Sequence, residues 1–156
     1  MTYIGVDPGK NGAIAALDLS GDIIGIARFS DAETEGRIAI IIADFIAGLP
    51  GGPLYASLEK VSAVQGSGAT GAFTFGRVYG EALSGLLLSP GVRMVTVSPK
   101  VWQHDLGMPK RTDYAAHKRA LKQAAEARFN RRFTLDECDA VLIAEHARVH
   151  GPWKKV

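Results

Sequence analysis

Over the first thirty positions apolar residues gather in short stretches bounded by glycine turns. This patterning predicts three strands, Thr2 to Asp7, Ala13 to Leu19 and Ile23 to Phe29. The links Pro8-Gly9-Lys10-Asn11-Gly12 and Ser20-Gly21-Asp22 carry hairpin chemistry, because Gly and Asn accept positive φ at little cost. An antiparallel meander is therefore expected to open the fold. From Glu35 to Leu49 the period changes: Ile38, Ile41, Ile42, Phe45, Ile46 and Leu49 recur at helical spacing, and Pro50-Gly51-Gly52-Pro53 ends the run. A strand from Leu54 to Glu59 follows, then a Gly/Ser-rich loop from Ser62 to Gly71 and an apolar segment from Phe73 to Leu88. That segment reads as a helix. Its Gly76, Gly80 and Gly85 imply close packing, and Phe73 and Phe75 at its start read as core.

Val92 to Val97 is a β-branched run that predicts a buried strand. Ser98-Pro99 then supplies an N-cap and a first-turn proline for a short helix to about Leu106. Thr112 or Asp113 caps a longer helix through Phe129, on which Lys110, Arg111, Lys118, Arg119, Lys122 and Arg128 surround a narrow apolar stripe of Tyr114, Leu121 and alanines. Thr134-Leu135-Asp136-Glu137 fits a capping box, opening a last helix to about His150. The expected class is α/β, with a mixed five-stranded sheet, an antiparallel three-strand meander followed by parallel strands, flanked by helices. No internal repeat or linker divides the chain, so residues 1–156 are expected to form one domain.

Composition narrows the class. The chain has 156 residues, 47% of them hydrophobic and 22% charged, enough to bury a core and unlike a disordered segment. The longest apolar stretch, Ile38 to Leu49, contains Asp44 and falls well short of the roughly 18 residues that a membrane span needs. No membrane partner is expected. The start of the chain lacks a basic leader segment, and the single Cys138 excludes an internal disulfide framework, so the cytoplasm is the expected compartment. Up to Val97 there are 6 Lys and Arg against 9 Asp and Glu; beyond it there are 12 against 7. An acidic first half joined to a basic second half suggests a polyanionic partner, although a solvated helix face explains it equally well.

Four acids are candidates for chemistry. Asp7 ends the first strand where a glycine turn begins, and Glu59 ends an apolar strand at the sheet's carboxyl edge. Asp136 and Asp139 are three apart on a helix, hence on one face. Singly, each has an ordinary reading, Asp7 as a turn former, Glu59 as a surface strand end, Asp136 as a helix-start acid and Asp139 as an exposed helical residue, and for all but Glu59 that reading is the favoured one. Together they form an oxygen-donor set suited to hard divalent ions, which in pairs can activate water and stabilise a leaving oxygen. Without an ion such carboxylates would repel one another and some would protonate. Nothing suggests zinc: Cys138 has no second thiol, and His146 and His150 lack further ligands.

The stretches Ile4-Gly5-Val6-Asp7-Pro8-Gly9, Ser57-Leu58-Glu59-Lys60-Val61 and Asp136 to Ala144 resemble the three acidic motifs of RuvC-type Holliday junction resolvases, in the same order and at similar spacing. The small size, and the Trp102 to Arg111 stretch ahead of a basic helix, resemble bacteriophage-encoded members more than the longer bacterial ones. The resemblance implies an RNase H-like fold and a cytoplasmic homodimer that nicks two opposed strands of branched DNA, a four-way junction. It implies two-metal-ion phosphodiester hydrolysis with Mg²⁺, or Mn²⁺, leaving a 5′-phosphate and a 3′-hydroxyl. Asp7, Glu59, Asp136 and Asp139 would be the catalytic metal ligands. Lys100 and Lys110 or Arg111 fall near the family's essential basic positions, and Lys118, Gln65 and Ser67 join them as expected DNA contacts. One departure stands out: bacterial members place an aromatic wedge soon after the catalytic glutamate, whereas Ser62, Ala63 and Val64 stand here.

Other readings fit less well. Gly66 to Gly71 matches a dinucleotide-binding pattern, but six residues separate it from the strand it should follow, and no acid ends the next strand. The loop lacks the Gly-Lys-Ser/Thr ending of a P-loop. The first turn resembles that of actin-like kinases, which need two such domains. Within the fold class the alternatives are a nuclease for flaps, other branches or ribosomal RNA, and a non-catalytic module that binds branched DNA.

Overall fold

Burial of both faces of the first two strands sets the architecture, described for residues 1–31, 36–60, 68–110 and 113–155 in a computed structural model. Strands β1 (Thr2–Asp7), β2 (Ala13–Leu17) and β3 (Ile23–Arg28) form the expected meander. β4 (Leu54–Glu59) joins β1 in parallel and β5 (Val92–Val97) joins β4, giving one sheet of order β3-β2-β1-β4-β5. The helices are α1 (Arg37–Ala47), α2 (Ala69–Leu87), α3 (Pro99–Asp105), α4 (Tyr114–Phe129) and α5 (Leu135–His150). No described helix is long and apolar enough to cross a membrane.

The period of two sorts the strand side chains between two layers. Ile4 and Val6 of β1 and Ala56 and Leu58 of β4 pack with the Ile38, Ile42 and Ile46 stripe of α1 and with Val78 and Leu86 of α2. The alternate positions face α5: Ala13 and Ala15 pack with Val141 and Leu142, while Tyr3 and Tyr55 close over Ala147. The second parity ends in Asp7 on β1 and Glu59 on β4, so both carboxylates leave the sheet on the α5 side. α5 is buried continuously from Cys138 to Ala147, and α4 covers it through Leu121 and Ala125. Its backbone rests on β1, where a Cβ at Gly5 would stand 2.2 Å from the Ala140 carbonyl oxygen and 2.2 Å from the Ala144 nitrogen.

Several local expectations are corrected. β2 ends at Leu17 because Asp18 Oδ1 accepts from the amides of Gly21 and Asp22, each at 2.9 Å, and turns the chain. Positive φ occurs at Gly21, but at no residue from Pro8 to Gly12. Gly12 is needed there for space instead, since a Cβ would lie 2.0 Å from the Asp7 carbonyl oxygen. α2 begins at Ala69, a turn before Phe73, and this phase leaves Phe73 73% exposed rather than in the core. Of Gly76, Gly80 and Gly85 only Gly85 packs closely, since a Cβ there would lie 2.9 Å from Ile42 Cβ of α1; a Cβ at Gly76 or Gly80 would meet nothing within 4 Å.

The contact at Gly5 yields a stability prediction. Gly5→Ala places a methyl group inside van der Waals distance of two helix backbone atoms and must lift α5 from the sheet, at a cost of about 3 kcal/mol. Urea unfolding of the variant beside the wild type checks it, and a loss under about 1 kcal/mol would show that α5 can shift freely.

Candidate active site

The site is assembled at the carboxyl ends of β1 and β4. Their register pairs Val6 with Leu58, and its next step sets Asp7 beside Glu59. Asp7 is pinned by its turn, with Oδ1 accepting from the Gly9 amide at 3.1 Å. The box at the start of α5 forms as expected, with the Thr134 amide donating to Glu137 Oε2 at 2.8 Å. Asp136 therefore lies in the first turn and Asp139 in the next. Since α5 crosses β1 at Ala140, these turns face Asp7. Asp139 is buried and Asp136 half-buried.

The electrostatics follow from that crowding. Burial, with the Asp139 charge next in size, pushes the Asp7 carboxyl up to about 6, against the pull of Lys118 and the Gly9 amide; Asp136 adds a smaller upward push. Burial, then the Asp7 charge, pushes Glu59 up to about 8, although the Trp102 indole N–H opposes it. Among the described residues Lys118 is the cation placed directly on the cluster, donating to Asp139 Oδ2. Burial pulls its pKa down, but Asp139 and Asp7 outweigh that and hold it above the ordinary lysine value. The other oxygen, Asp139 Oδ1, is buried with no hydrogen-bond partner among the described residues.

An open cleft of about 1150 Å³ borders the cluster, between α3 and the start of α4, and Glu59, Asp139, Lys100, Lys110 and Lys118 all line it. Lys100 and Lys110 are exposed. The structure thus draws Asp7, Glu59 and Asp139 together with Asp136 at the margin, and sets three of the sequence-selected lysines on one opening. Arg111, Gln65 and Ser67, like Ser62 to Val64, lie outside the described residues.

One partner of the site carries no local signal in the sequence. Trp102, wholly buried on α3, donates from Nε1 to Glu59 Oε1 at 2.8 Å, a contact 43 residues away along the chain. The helix that bears it is capped as expected by Ser98, and at its far end Asp105 Oδ2 meets His146 Nε2 of α5 at 3.0 Å. His146 stacks on His150, with ring centroids 5.4 Å apart. Cys138 is buried, and its thiol is pushed up to about 12 by burial, so it is not a nucleophile.

Among the described residues, no group of three acidic, His or Cys side chains is already gathered as a metal cage. The chemistry of the cluster nevertheless fits a hard divalent cation. Its donors are all carboxylate oxygens, burial and neighbouring negative charge push two of its carboxyls upward, and Asp139 Oδ1 has no hydrogen-bond partner among the described residues. Lys118 supplies part of the positive charge that such an ion would supply in full.

No protein-family model matches the chain, and no curated protein matches it in sequence. Solved structures do. The chain is similar to Thermus thermophilus RuvC in complex with a Holliday junction substrate, with a TM-score of 0.70, 16% identity, and 97% of this chain and 98% of that one covered. It is also similar to another Thermus thermophilus RuvC structure, with a TM-score of 0.67, 17% identity, and coverage of 95% and 94%. The likeness is one of fold: the mixed five-stranded sheet flanked by helices is that of RuvC, an RNase H-like fold.

The raised carboxyls make metal-free stability depend on pH. The folded state keeps Glu59 protonated up to about 8 and Asp7 up to about 6, whereas the unfolded chain releases these protons near the ordinary values of 4.5 and 3.8. Between those limits the native state binds more protons, so stability falls as pH rises. In chelator, Tm is expected to drop steadily from pH 5 to 8.5, and Glu59→Gln to flatten the upper part of that slope. A Tm that rises over the range in wild-type protein contradicts this electrostatic picture.

Proposed function

We propose that this chain is a divalent-metal-dependent endonuclease that resolves four-way DNA junctions by paired nicks. The observation that carries the reading is the meeting of Asp7, Glu59 and Asp139, from two strand ends and a helix, on a cleft that three lysines line. Its likeness in fold to a RuvC bound to a Holliday junction substrate supports it. A non-catalytic DNA-binding module has no use for unpaired carboxylates where phosphates must approach.

Asp7, Glu59 and Asp139, with Asp136 at the margin, would hold Mg²⁺ or Mn²⁺. Bound there, divalent ions lower the pKa of water and neutralise charge on a phosphodiester. The chain's own residues do the rest. The Trp102 N–H occupies one oxygen of Glu59 and fixes its carboxylate beside the cluster. Lys118 brings an ammonium to within bonding distance of Asp139, where it can offset charge developing on the scissile phosphate or the leaving oxygen. Lys100 and Lys110 sit exposed on the same opening and take flanking phosphates, which fixes the strand's register without reading its sequence. Arg111, Gln65 and Ser67, outside the described residues, are the further DNA contacts of the proposal.

A substrate with two-fold symmetry calls for two such sites related by a two-fold axis, hence a homodimer. The outer face of α2 supports this: Gly76 and Gly80 admit a close neighbour, and Phe73 and Leu87 beside them are exposed. The cytoplasm of a bacterium or of a phage-infected host fits an enzyme of this kind.

The test is a panel of labelled substrates, a four-way junction, a flap, a linear duplex and a structured RNA, each with Mg²⁺ or chelator. Symmetrical nicks on the junction alone are expected, lost in chelator. Asp7→Asn and Asp139→Asn are each expected to slow cutting about a hundredfold or more while the junction is still bound. Equal cutting of flaps makes this a general debranching nuclease, RNA cutting moves it to RNA processing, and binding without cutting anywhere leaves a DNA-binding module.

A further inference from the structure

The cleft beside the carboxylates is lined differently from a surface built only for phosphates. Along with its lysines it presents Val101, Met108, Tyr114 and Leu121, and its wall is mostly carbon. Val101 is 48% exposed and Tyr114 60% exposed, both among the few large apolar side chains left open to solvent in the described structure. An apolar wall that water can reach marks a place where an apolar surface docks. The sequence pattern sets Tyr114 in the apolar stripe of α4, and in the structure it lines the opening.

Tyr114 stands one helical turn before Lys118. Residues four apart on a helix are neighbours, with Cβ atoms about 6 Å apart. Both side chains line the cleft. An aromatic ring thus lies about one nucleotide's reach from the ammonium that meets Asp139.

We propose that this cleft receives a single unstacked nucleobase next to the scissile phosphate, with Tyr114 as the surface on which it stacks. The inference rests on the nuclease reading and adds to it a source of selectivity for branches. A base inside a continuous duplex must break its own stacking and pairing to enter, at a cost of a few kcal/mol; a base at a branch point has already given up part of that. The lysines on the rim hold the backbone, while the apolar wall rewards only strands that can yield a base. Branch preference then needs no aromatic wedge in the segment after Glu59, where Ser62, Ala63 and Val64 stand.

The experiment uses the full chain and a synthetic four-way junction whose cut position has been mapped. Each nucleotide flanking the cut is replaced in turn by 5-iodouracil, for photo-cross-linking in chelator, or by an abasic site, for single-turnover cutting in Mg²⁺. The expected cross-link joins one flanking position to Tyr114, located by mass spectrometry of the peptide. The abasic site at that position and Tyr114→Ala are each expected to slow cutting about tenfold, with no further loss when combined, and Tyr114→Phe, which keeps the ring, to restore the rate. Truncating a side chain 60% exposed leaves the core intact, and the abasic arm uses unaltered protein. If the junction is cut but no flanking base cross-links to Tyr114 and the abasic site costs nothing, base docking is wrong while the nuclease reading stands. If the wild type binds and cross-links but never cuts, the nuclease reading fails and the docking site remains. If it neither binds nor cuts the junction, both fall.

Discussion

At Gly5 the backbone of α5 rests on the backbone of β1 with no side chain between them, and the approach of the helix acids to the strand acids follows from that contact. β1 and β4 deliver Asp7 and Glu59 to one end of the sheet by strand parity alone. A helix lifted by even one methyl group would carry Asp139 away from them. The continuous burial of α5 from Cys138 to Ala147 is the structural consequence: a helix pressed on a sheet on one side and covered by α4 on the other has no solvent face along its middle. Its first turns, which carry Asp136 and Asp139, project past the sheet to the site.

What the fold gathers there is costly to the folded state. Three carboxyls share a poorly hydrated space with one ammonium on Asp139, and burial with mutual repulsion forces Asp7 and Glu59 to hold protons above their usual range. Cores are ordinarily built the other way, with every buried charge matched. Unmatched charge on rigid elements is the pattern expected where binding, rather than stability, has shaped the residues. The surrounding bonds keep the cluster from relaxing. The Gly9 amide holds Asp7, Trp102 holds Glu59, and the Asp105–His146 contact ties the helix carrying Trp102 to α5.

Much of this was legible in the sequence because it depends on short-range rules. The β1, β4 and β5 limits, the Ser98, Asp113 and Thr134 caps, and the acids at two strand ends and on one helix all follow from period and capping chemistry. What was not legible depends on distance along the chain or on phase. The bond from Trp102 to Glu59 spans 43 residues and the one from Lys118 to Asp139 spans 21, and no local pattern announces either. Phe73 and Tyr114 sit near the starts of their helices, where apolar spacing along the chain does not tell which face of the helix meets the core. The glycines of the first turn and of α2 illustrate a second limit: sequence shows that a Cβ is absent, but not whether space, backbone angle or neither requires it.

The central claim is that the cluster is built to hold divalent cations, and thermal melting of the DNA-free protein at pH 8 tests it most directly. Titrated Mn²⁺ or Mg²⁺ should raise Tm along a saturating curve, because an ion that binds only the folded state stabilises it by mass action. Asp139→Asn should abolish that rise. A wild-type Tm that ignores both ions, or a rise of the same size in Asp139→Asn, would contradict the account.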